Sequence, residues 1–234
     1  MRIFYTPDIQ GSPYTMSPQE SKHCVQVLRL TNGDEVILVD GKGNKYEGVI
    51  SEASPKKCVV TIVETTPEWE LRDYSIHIAI APTKNIDRIE WMLEKCTEMG
   101  INQVTMINAR YSERKEVKLE RLEKVLVSAM KQSLKAYLPQ LNDMTKFSDF
   151  VKSCNSEYKF IAHCHPGEKV SLKQACPAGA DVTIMIGPEG DFSEEEVALA
   201  IANGFKPLTL GESRLRTETA AMTACAAVHF INMS

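Results

Sequence analysis

Two short segments in the last third of the chain combine residue types that could do chemistry. The first is Ile186-Gly187-Pro188-Glu189-Gly190-Asp191-Phe192-Ser193. A strand-like run stops at Gly187, turns through Pro188, Glu189 and Gly190, and enters a predicted helix at Ser193. Glycines on either side of a proline make a rigid turn whose backbone a ligand can approach closely. The plain alternative is a tight strand-to-helix turn with no ligand. The second segment runs from Leu208 to Ala220. A strand-like run ends at Gly211, and a loop carrying Arg214 and Arg216 leads to a threonine-capped helix. Ala220, Ala221, Ala224, Ala226 and Ala227 allow close backbone packing there, and a buried core helix explains them with or without a functional loop.

The elements that must position these loops are legible in outline. Arg2–Thr6, Glu35–Asp40, Lys45–Ser51 and Lys57–Glu64 are rich in Val and Ile and read as strands. Gly41–Asn44 fits a hairpin turn between two of them. Ser17, Pro18 and Glu20 open a helix running to about Leu30. Short strands with one helix suggest a small barrel over residues 1–70. Beyond the Thr66-Pro67-Glu68 linker, strands and helices alternate over 71–234. The strands are Ser75–Ala81, Gln103–Asn108, Lys159–His163, Val182–Gly187 and Pro207–Leu210. The helices are Asn85–Met99, Lys118–Ala136, Ser193–Asn203 and Thr217–Asn232. That alternation predicts a parallel α/β sheet, in which ligands bind beyond the carboxyl ends of the strands. The loop Ala81-Pro82-Thr83-Lys84 lacks the glycine pattern of a dinucleotide site, and no phosphate loop or nucleophile elbow is present. The candidate site therefore lies in the two C-terminal loops.

Composition narrows the class. With 43% hydrophobic and 25% charged residues, the chain reads as an ordinary globular protein. No apolar run approaches the roughly 18 residues that span a bilayer, and no secretory leader is evident. A cytoplasmic protein with no membrane partner is expected. Seven widely spaced cysteines without a C-x-x-C pair fit reduced thiols. His163-Cys164-His165 lacks the second half of a zinc-ligand set, so a strand end plus a loop is expected and no metal. The net charge of -4 argues against a grip on nucleic acid by bulk charge. Residues 110–135, however, hold eight basic groups against four acidic ones. That stretch reads equally as a phosphate-binding face or as a solvated helix face supported by a Glu120–Lys124 pair.

Ile186–Gly190 and Leu210-Gly211-Glu212-Ser213-Arg214-Leu215-Arg216-Thr217-Glu218-Thr219-Ala220 resemble the two signature loops of the ribosomal RNA small-subunit methyltransferase E family. That family belongs to the trefoil-knotted SPOUT methyltransferases. The resemblance extends over essentially the whole chain. His23–Arg29 is similar to the family's His…Val-Leu-Arg segment, and Lys84, Trp91, Lys95, Thr97, Glu98 and Gly100 are similar to its first α/β helix. Lys131-Gln132-Ser133 departs from a usual Glu-Gln-Ser, and Asp191 replaces a common glycine.

The resemblance implies an N-terminal PUA-like β-barrel over 1–70 and a knotted parallel-sheet domain over 71–234. It implies S-adenosylmethionine as cofactor, held by Ile186, Gly187, Pro188, Gly190, Leu210, Gly211, Ser213 and Leu215. It implies a homodimer that methylates N3 of a uridine in 16S rRNA of the small ribosomal subunit. Arg216 would stabilise charge on the uracil carbonyls or orient phosphate, and Glu189 would act as base or orienting group. His23, Arg29, Arg110, Arg114, Lys115 and Arg214 would contact RNA. A packed barrel residue is the plainer reading of His23. Two other readings stay open: a knotted methyltransferase for another atom or RNA, such as a tRNA ribose 2′-hydroxyl, and a non-enzymatic ribosome-assembly protein.

Overall fold

The computed structural model describes residues 2–233. The chain divides into two compact units. One takes in the residues up to Leu71 together with Val127–Leu138, and the other takes in Arg72–Leu126 and everything from Pro139 onward.

The first unit holds β1 (Ile3–Tyr5), β2 (Tyr14–Thr15), α1 (Pro18–Lys22), β3 (Glu35–Val39), β4 (Lys45–Glu52) and β5 (Val59–Thr66). The strands form a curled five-stranded sheet in the order β1-β3-β4-β5-β2. β3 and β4 are the expected antiparallel hairpin, whereas β1 runs parallel to β3. The helix expected to reach Leu30 is shorter. Ser17 Oγ caps it at Glu20 N (3.2 Å), but after Lys22 it widens into a π-helical turn over His23–Val27. Phe4, Met16, Cys24, Leu30, Leu38 and Val60 fill the core beneath. Lys131 binds Glu20 Oε1 at 2.5 Å in this unit, so the two charges neutralise each other.

The second unit is built on a seven-stranded, all-parallel sheet in the order β10-β12-β9-β11-β6-β7-β8. Its strands are β6 (Ser75–Ile80), β7 (Gln103–Asn108), β8 (Gln140–Lys146), β9 (Tyr158–Ala162), β10 (Val170–Ser171), β11 (Asp181–Ile186) and β12 (Lys206–Thr209). The helices of the chain from here on are α2 (Ile86–Met99), α3 (Leu119–Gln132), α4 (Phe147–Ser153), α5 (Leu172–Ala175), α6 (Glu194–Ala202) and α7 (Thr217–Ile231). α3 begins in the second unit and its last turns belong to the first. β2, β8, β10, α4 and α5 are additions to the sequence reading. β8, Gln-Leu-Asn-Asp-Met-Thr-Lys, is a half-exposed edge strand with none of the Val or Ile that marks the buried ones.

Register decides what the sheet can present. Ile186 stands beside Ile80 on one side and Ala162 on the other, and Ala162 stands beside Leu208. β6, β9, β11 and β12 therefore finish at one level, and four loops leave the same edge. At least three helices pin these ends. Asn85 caps α2 at Asp87 N (3.1 Å), and Ser193 and Glu196 close a reciprocal capping box on α6. α7 packs its small, buried face (Ala221, Ala224, Cys225) against α2, bringing Cys225 Sγ to 3.9 Å from the Cys96 carbonyl. No helix among the described residues is long and apolar enough to cross a membrane. All seven cysteines are free.

A half-buried histidine lies in β6, several residues before that edge. His77 shares hydrogen bonds with Thr105 Oγ1 (2.8 Å) and Thr183 Oγ1 (3.3 Å) and meets the Phe150 ring edge-on at 5.6 Å. Burial pushes its pKa down to about 4. The folded ring stays neutral where the unfolded chain takes up a proton near pH 6.5, so stability falls as pH drops below that value and levels off near 4. The expected loss is about 3 kcal/mol, read as the shift of urea midpoints with pH, and His77→Gln should abolish that part of the slope.

Candidate functional site

A cavity of about 660 Å³ opens at this common strand edge. Ile186, Gly187, Pro188, Glu189 and Asp191 form one wall, and Leu208–Thr217 form another. A second cavity of about 580 Å³ adjoins it, lined by Asp87, Arg88, Trp91, Arg214, Leu215, Arg216, Glu218 and Thr219. Arg88, Arg214, Leu215, Arg216 and Glu218 line both spaces. The structure thus brings the two loops singled out in the sequence to one place.

The first loop is held rigidly from below. Phe192 is fully buried, and its ring meets Phe147 at 5.2 Å. A Cβ on Gly187 would lie 3.2 Å from the Phe192 ring and backbone, so only glycine leaves this turn undisturbed. Asp191 adopts φ +68°, the left-handed region that favours glycine. Its carboxylate compensates by accepting from Phe192 N (2.8 Å) and Cys164 N (2.7 Å). His165 Nε2 donates to the Phe192 carbonyl at 2.6 Å, tying the 163–169 loop to the same turn. Glu189 is exposed and its Oε1 accepts from Lys84 N at 3.0 Å, which fastens the turn to the loop after β6. Gly190 does not line the cavity; a Cβ there would meet Tyr111 Cβ at 3.0 Å.

The second loop is open. Gly211 has φ +116° with nothing within 4 Å of a built Cβ. The expected threonine cap is absent: Arg216 occupies the N-cap of α7 and makes no side-chain capping bond. The first backbone N–H groups of α7 are therefore uncapped, with Arg216 exposed at the mouth of both cavities. Ser213, Arg214 and Leu215 also line the cleft.

Two groups there were not evident as site residues in the sequence. His163, the first residue past β9, lines the larger cavity, and both ring nitrogens are buried without a partner. Burial, followed by the charge of Lys169, pulls its pKa below the usual histidine value, so the ring is neutral at neutral pH. Glu218 is 7% exposed, and its Oε2 is buried with no hydrogen bond. Its place in the Thr-Glu-Thr sequence beside Arg216 is the signal that could have singled it out.

The residues suggested for RNA divide. Arg114 spends its guanidinium on the Thr83 and Lys84 carbonyls (3.1 and 2.6 Å), and Arg110 pairs with Glu195 at 3.1 Å. Lys115, Lys118 and Lys124 are exposed, and no Glu120–Lys124 ion pair forms. In the first unit, His23 packs edge-on to Phe4 at 6.1 Å, in keeping with a packed residue, and Arg29 is exposed at φ +57°. No cluster of metal-ligating side chains occurs among the described residues.

Residues 70–229 match the RNA methyltransferase domain, and residues 17–63 match the RNA methyltransferase PUA domain. The chain belongs to the RNA methyltransferase family. A "probable rRNA-methyltransferase" from Porphyromonas gingivalis is 40% identical, with a TM-score of 0.94 and coverage of 99% of this chain and 98% of that one. A methyltransferase from Legionella pneumophila, solved with bound cofactor SAM, is 28% identical with a TM-score of 0.87, covering 98% and 97%. The ribosomal RNA small subunit methyltransferase E of Rickettsia conorii is 27% identical over 95% of this chain and 91% of its own length. The family read from the two loops is the one named for the Rickettsia conorii relative, and in this RNA methyltransferase both loops meet at one strand edge.

Proposed function

We propose that the chain transfers a methyl group from S-adenosylmethionine to N3 of a uridine in small-subunit ribosomal RNA. The observation that carries this reading is the meeting of Ile186–Asp191 and Leu208–Thr217 around one cavity in a chain of this family. The residues present fit the cofactor. About 660 Å³ lies within the usual range for small-molecule sites. The unpartnered nitrogens of a neutral His163 supply one donor and one acceptor to a polar ligand. Backbone of Gly187 and Leu210–Leu215 would hold the rest, with Gly211 leaving room. Bound there, S-adenosylmethionine supplies an electrophilic methyl group on a cationic sulfur.

The remaining work falls to side chains. A uracil N3 is a poor nucleophile until its proton leaves, and departure puts negative charge on the flanking carbonyls. Arg216, exposed at the junction of the two cavities, would face that charge, with Arg214 as a second cation. Glu189 keeps the first loop in place through Lys84 N. The trefoil knot implied by the resemblance would involve the last strands of the sheet, where β11 lies between β6 and β9 and β12 between β10 and β9. A homodimer would cover the exposed Phe230 and Met233 near the end of α7.

Lys115, Lys118 and Lys124 would contact phosphates. Replacing all three with alanine should flatten the salt dependence of RNA affinity by about two units of slope, at roughly 0.7 per single-stranded phosphate. An affinity indifferent to salt would contradict these contacts. The function itself is tested with methyl-labelled S-adenosylmethionine and separated ribosomal subunits. Label should enter RNA of the small subunit; label in large-subunit RNA or tRNA alone would overturn the reading.

A further inference from the structure

A buried carboxylate oxygen without a partner is costly, and native folds keep few of them. Glu218 Oε2 is one. The other oxygen, Oε1, lies 3.9 Å from Arg88 Nε, too far for a hydrogen bond. The residue sits in the first turn of α7, two positions after Arg216, and lines both the larger cavity and its neighbour. The neighbouring space carries features suited to a nucleobase: Trp91, 42% exposed, offers an aromatic face, and Arg214 and Arg216 offer cations.

We infer that Glu218 is the group that takes the proton of the target base. This rests on the uridine-N3 reading above. The N3–H bond breaks and its proton passes to the Glu218 carboxylate. The electron pair left on N3 forms the bond to the methyl carbon, and the methyl–sulfur bond breaks with its pair kept by sulfur, which becomes a neutral thioether. Solvent takes the proton from Glu218 when product leaves.

The other acids lining the two cavities are less suited. Glu189 is exposed and engaged by Lys84 N, Glu212 is exposed, Asp191 is taken up by Cys164 N and Phe192 N, and Asp87 is exposed and paired with Arg121 at 2.9 Å. A carboxylate at this position also discriminates between bases. Uracil presents an N–H at N3, which the oxygen accepts; cytosine presents a lone pair there, which it repels.

The test uses Glu218→Gln, which keeps the shape and removes the base, and Glu218→Asp, which keeps the carboxylate. Single-turnover methyl transfer is followed against pH on uridine RNA and on the same RNA with 5-fluorouridine, whose ring N–H is more acidic. Glu218→Gln should slow transfer by about 10²–10⁴-fold at pH 7, with a rate that climbs as pH rises. The 5-fluorouridine RNA should recover about tenfold or more of that loss, and Glu218→Asp should keep the wild-type pH profile at reduced rate. Calorimetry should find cofactor and RNA affinities within about threefold of wild type.

Wild-type rates in Glu218→Gln would overturn the assignment. So would a slowed variant with an unchanged pH profile and no gain on 5-fluorouridine, which marks a structural role. A cofactor affinity weakened tenfold or more, on the order of 1.4 kcal/mol, would move Glu218 to cofactor binding instead. If the wild-type protein makes no 3-methyluridine, the underlying reading fails first, and this role with it.

Discussion

Phe192→Ala lowers unfolding free energy by about 3–5 kcal/mol, the range for emptying a buried aromatic site. The ring is fully buried among Ala79, Phe147, Phe150, Met185, Val197 and Phe205, all of them core residues of the second unit. Phe147 and Phe150 are themselves buried in the same cluster. The effect reaches the site. Phe192 supports Gly187 from below, and its carbonyl receives the His165 hydrogen bond. Urea unfolding should show the lost stability, and titration should show weaker binding of S-adenosylmethionine by the folded fraction. Phe192→Leu should retain most of both. A Phe192→Ala protein with unchanged unfolding would mean that this cluster does not hold the turn.

The second large effect is on turnover. Arg216→Ala should reduce kcat about 10²–10³-fold at saturating RNA, the cost of removing one preorganised donor from developing negative charge. Arg216 suits that role because its side chain is exposed at the cavities and is not needed to cap α7. Truncation should therefore leave unfolding and cofactor affinity close to wild type. Arg216→Lys should restore little, since an ammonium lacks the planar fork of a guanidinium. Wild-type kcat in Arg216→Ala would remove Arg216 from the mechanism.

Much of the molecule is legible in its sequence because punctuation is local. Gly187, Pro188 and Ser193 mark a strand end, a turn and a helix start from their own chemistry, and the structure places all three so. The interior β strands announce themselves through Val and Ile runs. β8 does not, because an edge strand needs no buried face on both sides. The π-helical turn after Lys22 is invisible for another reason, as His23–Val27 carry no proline or glycine to end the helix. Site roles proved harder to read than site location. Arg114 looks like a cation for phosphate, yet its guanidinium closes on two carbonyls brought near by tertiary packing. Glu218 looks like an ordinary first-turn acid favoured by the helix dipole. Only the fold shows that one of its oxygens is buried without a partner, on a residue that lines two cavities.

The central claim concerns one atom of one base, and product analysis addresses it directly. Small subunits from cells lacking this protein are incubated with the purified chain and methyl-labelled S-adenosylmethionine. The RNA is then digested to nucleosides and the labelled product is identified by mass spectrometry. The account predicts 3-methyluridine as the labelled nucleoside. A label on a ribose 2′-hydroxyl or on another base would contradict it, and bound cofactor with no transfer to this RNA would contradict it as well.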